Sequence, residues 1–224
     1  MITKKSGNLK GELEIQGDLE LTGDLIVEKW IEVSGSINCN GYSIEAGDFI
    51  EAGGFIEAGY SIKAGGFIEA GYSIKAGGFI EAGYSIEAGG SIEAGGSIEA
   101  GGSIEAGGSI EAGDFIEAGY SIKAGGFIEA DGSIKSGNSI LSQLWCKAKT
   151  TISAGLYIWV GIKTWSELRE GDDLIECSKL LKGEVKVGKL VETGEVKETI
   201  TIGNNKYDKI EVENALKNIK SLDA

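Results

Sequence analysis

The chain contains no histidine, which removes the commonest general base and the commonest metal ligand at neutral pH. It contains no proline, so sharp changes of direction fall to glycine, of which there are 37. Cysteine occurs three times, at Cys39, Cys146 and Cys177, widely spaced and without a CxxC pair. An odd, scattered set argues against a disulfide framework or a zinc site and fits a reducing, cytoplasmic setting. No run of about 18 apolar residues is present, so no membrane span is expected. The opening MITKKSGNLKGELEIQG lacks the apolar stretch of a secretory signal. Cationic charge is scarce: residues 1–161 hold ten lysines and no arginine against 22 acidic residues, and the whole chain carries −14. That balance argues against direct nucleic-acid binding and for a basic macromolecular partner.

What the chain has in abundance is a rhythm of six. Isoleucine stands at Ile44, Ile50, Ile56 and every sixth residue to Ile140, and the phase continues through Cys146, Ile152 and Ile158. Two residues after each marker sits a small or apolar residue, usually alanine, and then glycine. Upstream the same spacing gives Leu13/Ile15, Leu19/Leu21, Leu25/Val27, Ile31/Val33 and Ile37/Cys39, with one residue inserted near Asn40. An i, i+2 apolar pair marks a short strand with one buried face, because side chains alternate across a strand. A helix would need apolar positions at i, i+3, i+4 and i+7, which the repeat does not supply. Each hexad therefore reads as a strand of three or four residues ending in a glycine corner, where positive φ is cheap. A single hexad cannot bury its own apolar face, and stacking coils does. The expected fold is mostly β: a parallel β-solenoid over residues 1–161, about three hexads per coil and about eight coils.

Charge selects the coil length. A coil of twelve residues would stack Glu45, Glu57, Glu69 and Glu81 directly, and like charges at adjacent-strand spacing repel. A coil of eighteen gives the mixed column Glu45, Lys63, Glu81, Glu99, Glu117, Lys135, which is favoured.

This pattern resembles the hexapeptide parallel β-helices, and the N-terminal portion, with its G-x-L-x-[IL] cadence, resembles the bactofilins; the resemblance covers residues 6 to about 161 through its period and apolar pattern. That resemblance implies a β-helix and a tendency to form polymers. The acyltransferases of hexapeptide type use a histidine base, which this chain lacks. A folded appendage of some sixty residues departs from the bactofilin pattern and makes a capped dimer more plausible than an open filament.

The slot after each marker isoleucine points outward. From residue 45 to 135 it holds twelve glutamates and four lysines. One reading is that these charges keep a strand surface soluble and unassociated. The other is a carboxylate array that docks on a basic surface, with Glu81, Glu87, Glu93, Glu99, Glu105, Glu111 and Glu117 as the candidate surface. Tyr60, Tyr72, Tyr84 and Tyr120 occupy corner slots and are candidate aromatic contacts. The run GGSIEAGGSIEAGGSIEAGGSIEA, residues 89–112, is expected to be the slimmest stretch of the rod. Cys39 and Cys146 fall on inward slots and read as small core residues.

No P-loop, nucleophile elbow, dinucleotide-binding or calcium β-roll motif is present, so no catalysis and no cofactor or metal is expected. Residues 162–224 are expected to form a small α+β appendage. KGEVKVGKLVE and EVKETITIGNNKYD alternate as strands with Gly-Asn-Asn as a turn. Asp208 then starts an amphipathic helix whose Val212, Leu216 and Ile219 are candidate cap or oligomer contacts. Leu13, Ile15, Leu19 and Leu21 would lie near an open N-terminal end, suggesting a homodimer or end-to-end oligomer. Two functions follow. The first is a non-enzymatic module that occupies a basic surface on a nucleic-acid-handling protein, as an inhibitor resembling nucleic acid of phage or mobile-element type. The second is a structural, polymer-forming scaffold, fibre or spike segment.

Overall fold

The computed structural model describes residues 2–39, 41–162, 170–171, 173–193, 199–202 and 205–208. Those up to residue 193 form a parallel β-solenoid of about 10 turns with a spacing of about 18 residues. The repeating unit is a three-residue strand such as Ile50–Ala52, Ile56–Ala58 or Ile62–Ala64. Each pairs in parallel with strands one coil above and below, so Ile68 lies between Ile50 and Ile86. Three stacks result, called here face A (containing Ile50–Ala52), face B (Ile56–Ala58) and face C (Ile62–Ala64). The column Glu45, Lys63, Glu81, Glu99, Glu117, Lys135 expected from charge is the face C ladder.

The interior is the isoleucine and alanine column. Every marker isoleucine from Ile44 to Ile140 is fully buried, and the partner alanines are nearly so. Such a buried isoleucine contributes roughly 1.5–3 kcal/mol relative to exposure. In two coils serine replaces the alanine, and both hydroxyls are accommodated. Ser142 Oγ donates to the carbonyls of Gly126 (2.8 Å) and Trp145 (2.9 Å), and Ser136 Oγ to those of Tyr120 and Ser139. Buried polar atoms survive where such partners exist.

The corner glycines serve a purpose other than the one expected from sequence. From Gly47 to Gly155 the corner glycines do not have positive φ, whereas Gly11 and Gly17, flanking the Leu13–Ile15 strand, do. Their reason is close approach: a Cβ on Gly101 would lie 2.2 Å from the carbonyl oxygen of Gly83, and one on Gly119 2.0 Å from that of Gly101. Glycine is needed because the next coil's backbone occupies the side-chain position. Positive φ is confined to irregular points such as Gly41, at +82°, beside the inserted residue. There the pairing interval lengthens to 19 residues (Ile31 with Ile50, Ile37 with Ile56), and the Tyr42 amide donates to the Cys39 carbonyl at 2.9 Å.

The stack also runs beyond the hexads at both ends. Strand Ile2–Leu9 pairs with Asp18–Val27, setting Thr3 in register with Leu19 and Lys5 with Leu21. Of the expected open N-terminal end, Leu19 and Leu21 are therefore overlaid by a further strand, whereas Leu13–Ile15 pairs among the described residues only with Ile31–Val33. At the other end Leu174–Cys177 adds to Cys146–Ala148, Lys179–Val187 to Thr151–Val160, and Lys189–Glu192 to Leu174–Cys177, all in parallel. The strands expected in KGEVKVGKLVE are thus further coils of the solenoid, which takes the count past the eight expected. Thr199–Ile202 and Asn205–Asp208 form the antiparallel hairpin that the Gly-Asn-Asn turn implied. The helix starting near Asp208, with Val212, Leu216 and Ile219, lies outside the described residues. Among the described residues no helix is long and apolar enough to cross a membrane.

Candidate interaction surface

Outward side chains inherit the stacking of the backbone, so each face carries one ladder. On face A the order is Glu14, Glu32, Glu51, Glu69, Glu87, Glu105, Lys123. Six carboxylates stand in direct succession, a column about 24 Å long at a strand spacing of ~4.8 Å. Face B reads Glu57, Lys75, Glu93, Glu111, Glu129, Lys147, Glu176 over its central part.

Lysine divides the ladders unequally. On face B, Lys75 Nζ reaches both Glu93 oxygens, at 3.0 and 3.1 Å, and Lys147 meets Glu176 at 3.4 Å. On face C, Lys63 pairs with Glu81 at 3.2 Å and Lys135 with Glu117 at 2.5 Å. The Glu93 hydrogen bond and charge hold the Lys75 ammonium above its usual range. On face A the ion pair among the described residues is Lys123 with Glu105, at the foot of the column. Above it the carboxylates face one another. Burial, then the charges of Glu69 and Glu32, push the Glu51 carboxyl above its ordinary value. At the corner beside the column Trp30, Phe49 and Phe67 stack with ring centroids 5.5 and 4.8 Å apart.

The seven glutamates picked out in sequence order do not form one surface. Glu87 and Glu105 belong to face A, Glu93 and Glu111 to face B, and Glu81, Glu99 and Glu117 to face C. Four of them, Glu81, Glu93, Glu105 and Glu117, are paired with lysine. Glu14, Glu32, Glu51 and Glu69, which complete the contiguous column, become visible only when the sequence is read every eighteenth residue, or every nineteenth across the insertion. The tyrosines are strongly exposed, from 59% at Tyr72 to 71% at Tyr84, but do not converge. Tyr60 lies on the corner between faces B and C, Tyr72 between A and B, and Tyr84 and Tyr120 between C and A. Tyr72 stacks on Phe55 at 5.1 Å.

The serine slot before each strand satisfies corner amides: Ser73 Oγ accepts from the Ser91 amide and Ser91 Oγ from the Ser109 amide, at 3.0 and 3.1 Å. The three cysteines are free and buried. Burial, with a smaller contribution from Glu57, pushes the Cys39 thiol up to about 12, and burial also raises Cys146 and Cys177. Burial places these thiols in the core and keeps them protonated near neutral pH. Among the described residues no group of three or more cysteines and carboxylates is placed to hold a metal ion. A ladder keeps its carboxylates side by side instead of turning them toward a common centre. No protein-family model, curated protein or solved structure matches the chain.

Proposed function

We propose that this chain is a non-catalytic interaction module: a stiff acidic rod whose face A occupies a basic surface on another macromolecule. The observation that supports the reading is the uninterrupted column from Glu14 to Glu105. Faces B and C relieve their carboxylates with lysines in register, whereas face A keeps six like charges in line. Like charges directly opposite are destabilising, so solubility alone does not account for a column that mixing would improve. A line of negative charge about 24 Å long, with no sequence-specific chemistry, is what a groove built for a phosphate backbone attracts. The partner class favoured is therefore a nucleic-acid-handling protein with a basic groove.

The test is capture from a lysate of the native host at low ionic strength, followed by mass spectrometry, with the chain and a Glu51→Lys/Glu69→Lys/Glu87→Lys variant side by side. A partner retained by the former, lost by the latter and released as salt rises supports the reading. Equal retention by both ends it. A second reading, a polymer-forming scaffold, draws on one observation: among the described residues the outermost strands Ile2–Leu9 and Lys189–Glu192 are each paired on one side only. Such edges can recruit further chains. Assemblies that persist in high salt and are indifferent to the face A reversal would favour it.

A further inference from the structure

We propose that the lower part of face A is an apolar docking strip, and that the face as a whole seats a cationic amphipathic helix of a partner protein. The proposal rests on the reading that the rod engages basic partners and names the shape of the segment it takes.

Below Lys123 the outward column of face A changes character. Leu141 is in register with Lys123, Trp159 with Leu141, and Val187 with Trp159. From residue 45 to 135 every such slot on the three faces holds glutamate or lysine, so three apolar residues in succession break the rule of the fold. Their surroundings are apolar on both corners, and one ion pair borders them: Lys186 Nζ lies 4.8 Å from the Tyr157 ring and 2.6 Å from Glu184. At the corner between faces C and A, Leu156 is 53% exposed and the Tyr157 ring lies 5.3 Å from that of Trp159. At the opposite corner Leu144 adjoins Trp145, which stacks on Phe127 at 4.1 Å. Val187 is 42% exposed. Isolated surface hydrophobes need no explanation, but a contiguous patch marks an interface, and tryptophan and tyrosine are its usual anchors.

Geometry selects a helix over a strand as occupant. The ladder repeats every ~4.8 Å; a helix presents one face every ~5.4 Å, and a strand every ~6.8 Å. Across six carboxylates the helix drifts by about 3 Å, within reach of flexible lysines, and the strand by about 10 Å, two slots out of register. Charge complementarity sets the polarity: cationic residues against Glu14 to Glu105, and an apolar cluster at one end against Leu141, Trp159 and Val187.

The experiment uses the full chain and two synthetic helical peptides of about 27 residues, the length that covers about 40 Å. Both carry the same lysines along one face. One ends in a leucine and phenylalanine cluster, and the other has serine there. Fluorescence anisotropy is read at about 0.05 M and 0.3 M salt. The clustered peptide should bind about tenfold more tightly, as expected for an anchored contact. Leu141→Ser should erase that difference and Trp159→Phe should keep most of it. Serine fills the equivalent outward slot at Ser153, so the first variant keeps the fold, and Val187→Ser provides an independent check. Equal binding of the two peptides, or no effect of Leu141→Ser and Val187→Ser, overturns the strip while leaving the basic-partner reading intact. Absence of binding by either peptide at low salt removes both. A free chain that sediments as a dimer and becomes monomeric on Leu141→Ser shows a second copy on the strip, which also overturns the proposal.

Discussion

Glu69 is flanked in its ladder by Glu51 and Glu87, so Glu69→Lys converts two like-charge neighbours into two opposite-charge ones. At about 5 Å in water each repulsion is worth roughly 0.8 kcal/mol, and screening at physiological salt halves it. Cross-strand opposite pairs return a similar amount, less the entropy of holding two exposed side chains together. The sum is a gain of about 1 kcal/mol in unfolding free energy, and Glu69→Gln, which only deletes repulsion, should give about half. The measurement is the urea midpoint at constant m-value. In about 1 M salt, where the screening length falls to about 3 Å, the three proteins should converge. The pH dependence has a definite sign. The Glu51 carboxyl is raised above its ordinary 4.5, so the stability linked to it is fully present below that value and lost as pH rises through the raised one. Lowering pH from 7 toward 5 should therefore narrow the gap between the natural chain and Glu69→Lys. A Glu69→Lys protein that is less stable, or a gap indifferent to salt, would refute the argument that face A holds its carboxylates at a cost.

Gly101→Ala should lower stability by about 1–3 kcal/mol through a clash with the Gly83 carbonyl, as overpacked sites do. Gly102→Ala should cost less in the same urea titration, since the equivalent corner slot already holds Tyr84, Tyr120 and Asp114. Truncation of a central core residue, Ile104→Ala, should cost about 2–5 kcal/mol in thermal or denaturant unfolding. Cys39, with its thiol pushed up to about 12, should resist iodoacetamide at pH 8 in the folded chain and react after denaturation, as read by mass spectrometry.

The period of six, the parallel stack, the eighteen-residue coil and the inserted residue near Asn40 are all legible in the sequence, because each is a statement about spacing and stacking imposes spacing. The role of the corner glycine is not, since a glycine needed for left-handed φ and one needed for close approach read alike. The slot itself hinted at the answer: Asp131, Gln143 and Lys149 occupy it toward the C-terminal end. None of these has the αL tolerance of glycine at no cost. Their amides still bond to the coil above, at 3.1 to 3.2 Å, so the slot accepts a side chain without losing its hydrogen bond. The continuation through residues 174–192 was hidden because the interval from Cys146 to its partner Ile175 is 29 residues, and a lengthened coil destroys the phase while leaving the local alternation. The acidic column was hidden for a different reason. Neighbours in sequence lie on different faces, so a surface chosen from consecutive hexads samples all three.

The two ends of the rod bear on the choice between a module and a filament. In the first coil Lys5 takes the register of Leu21, an inward apolar position, and is only half-buried. Placing charge in an inward slot of a terminal strand is a recognised way to stop edge-to-edge growth. At the far end, Leu180 and Val185 continue the apolar column as partly buried residues, and Leu190, in register with Ile175, is 37% exposed. Among the described residues, stacking the last coil on the first would set an apolar coil against a lysine-bearing one. Desolvating that ammonium without a partner opposes the contact. The same sequence that keeps six carboxylates in line along its side thus places a lysine in an inward slot of its first described coil.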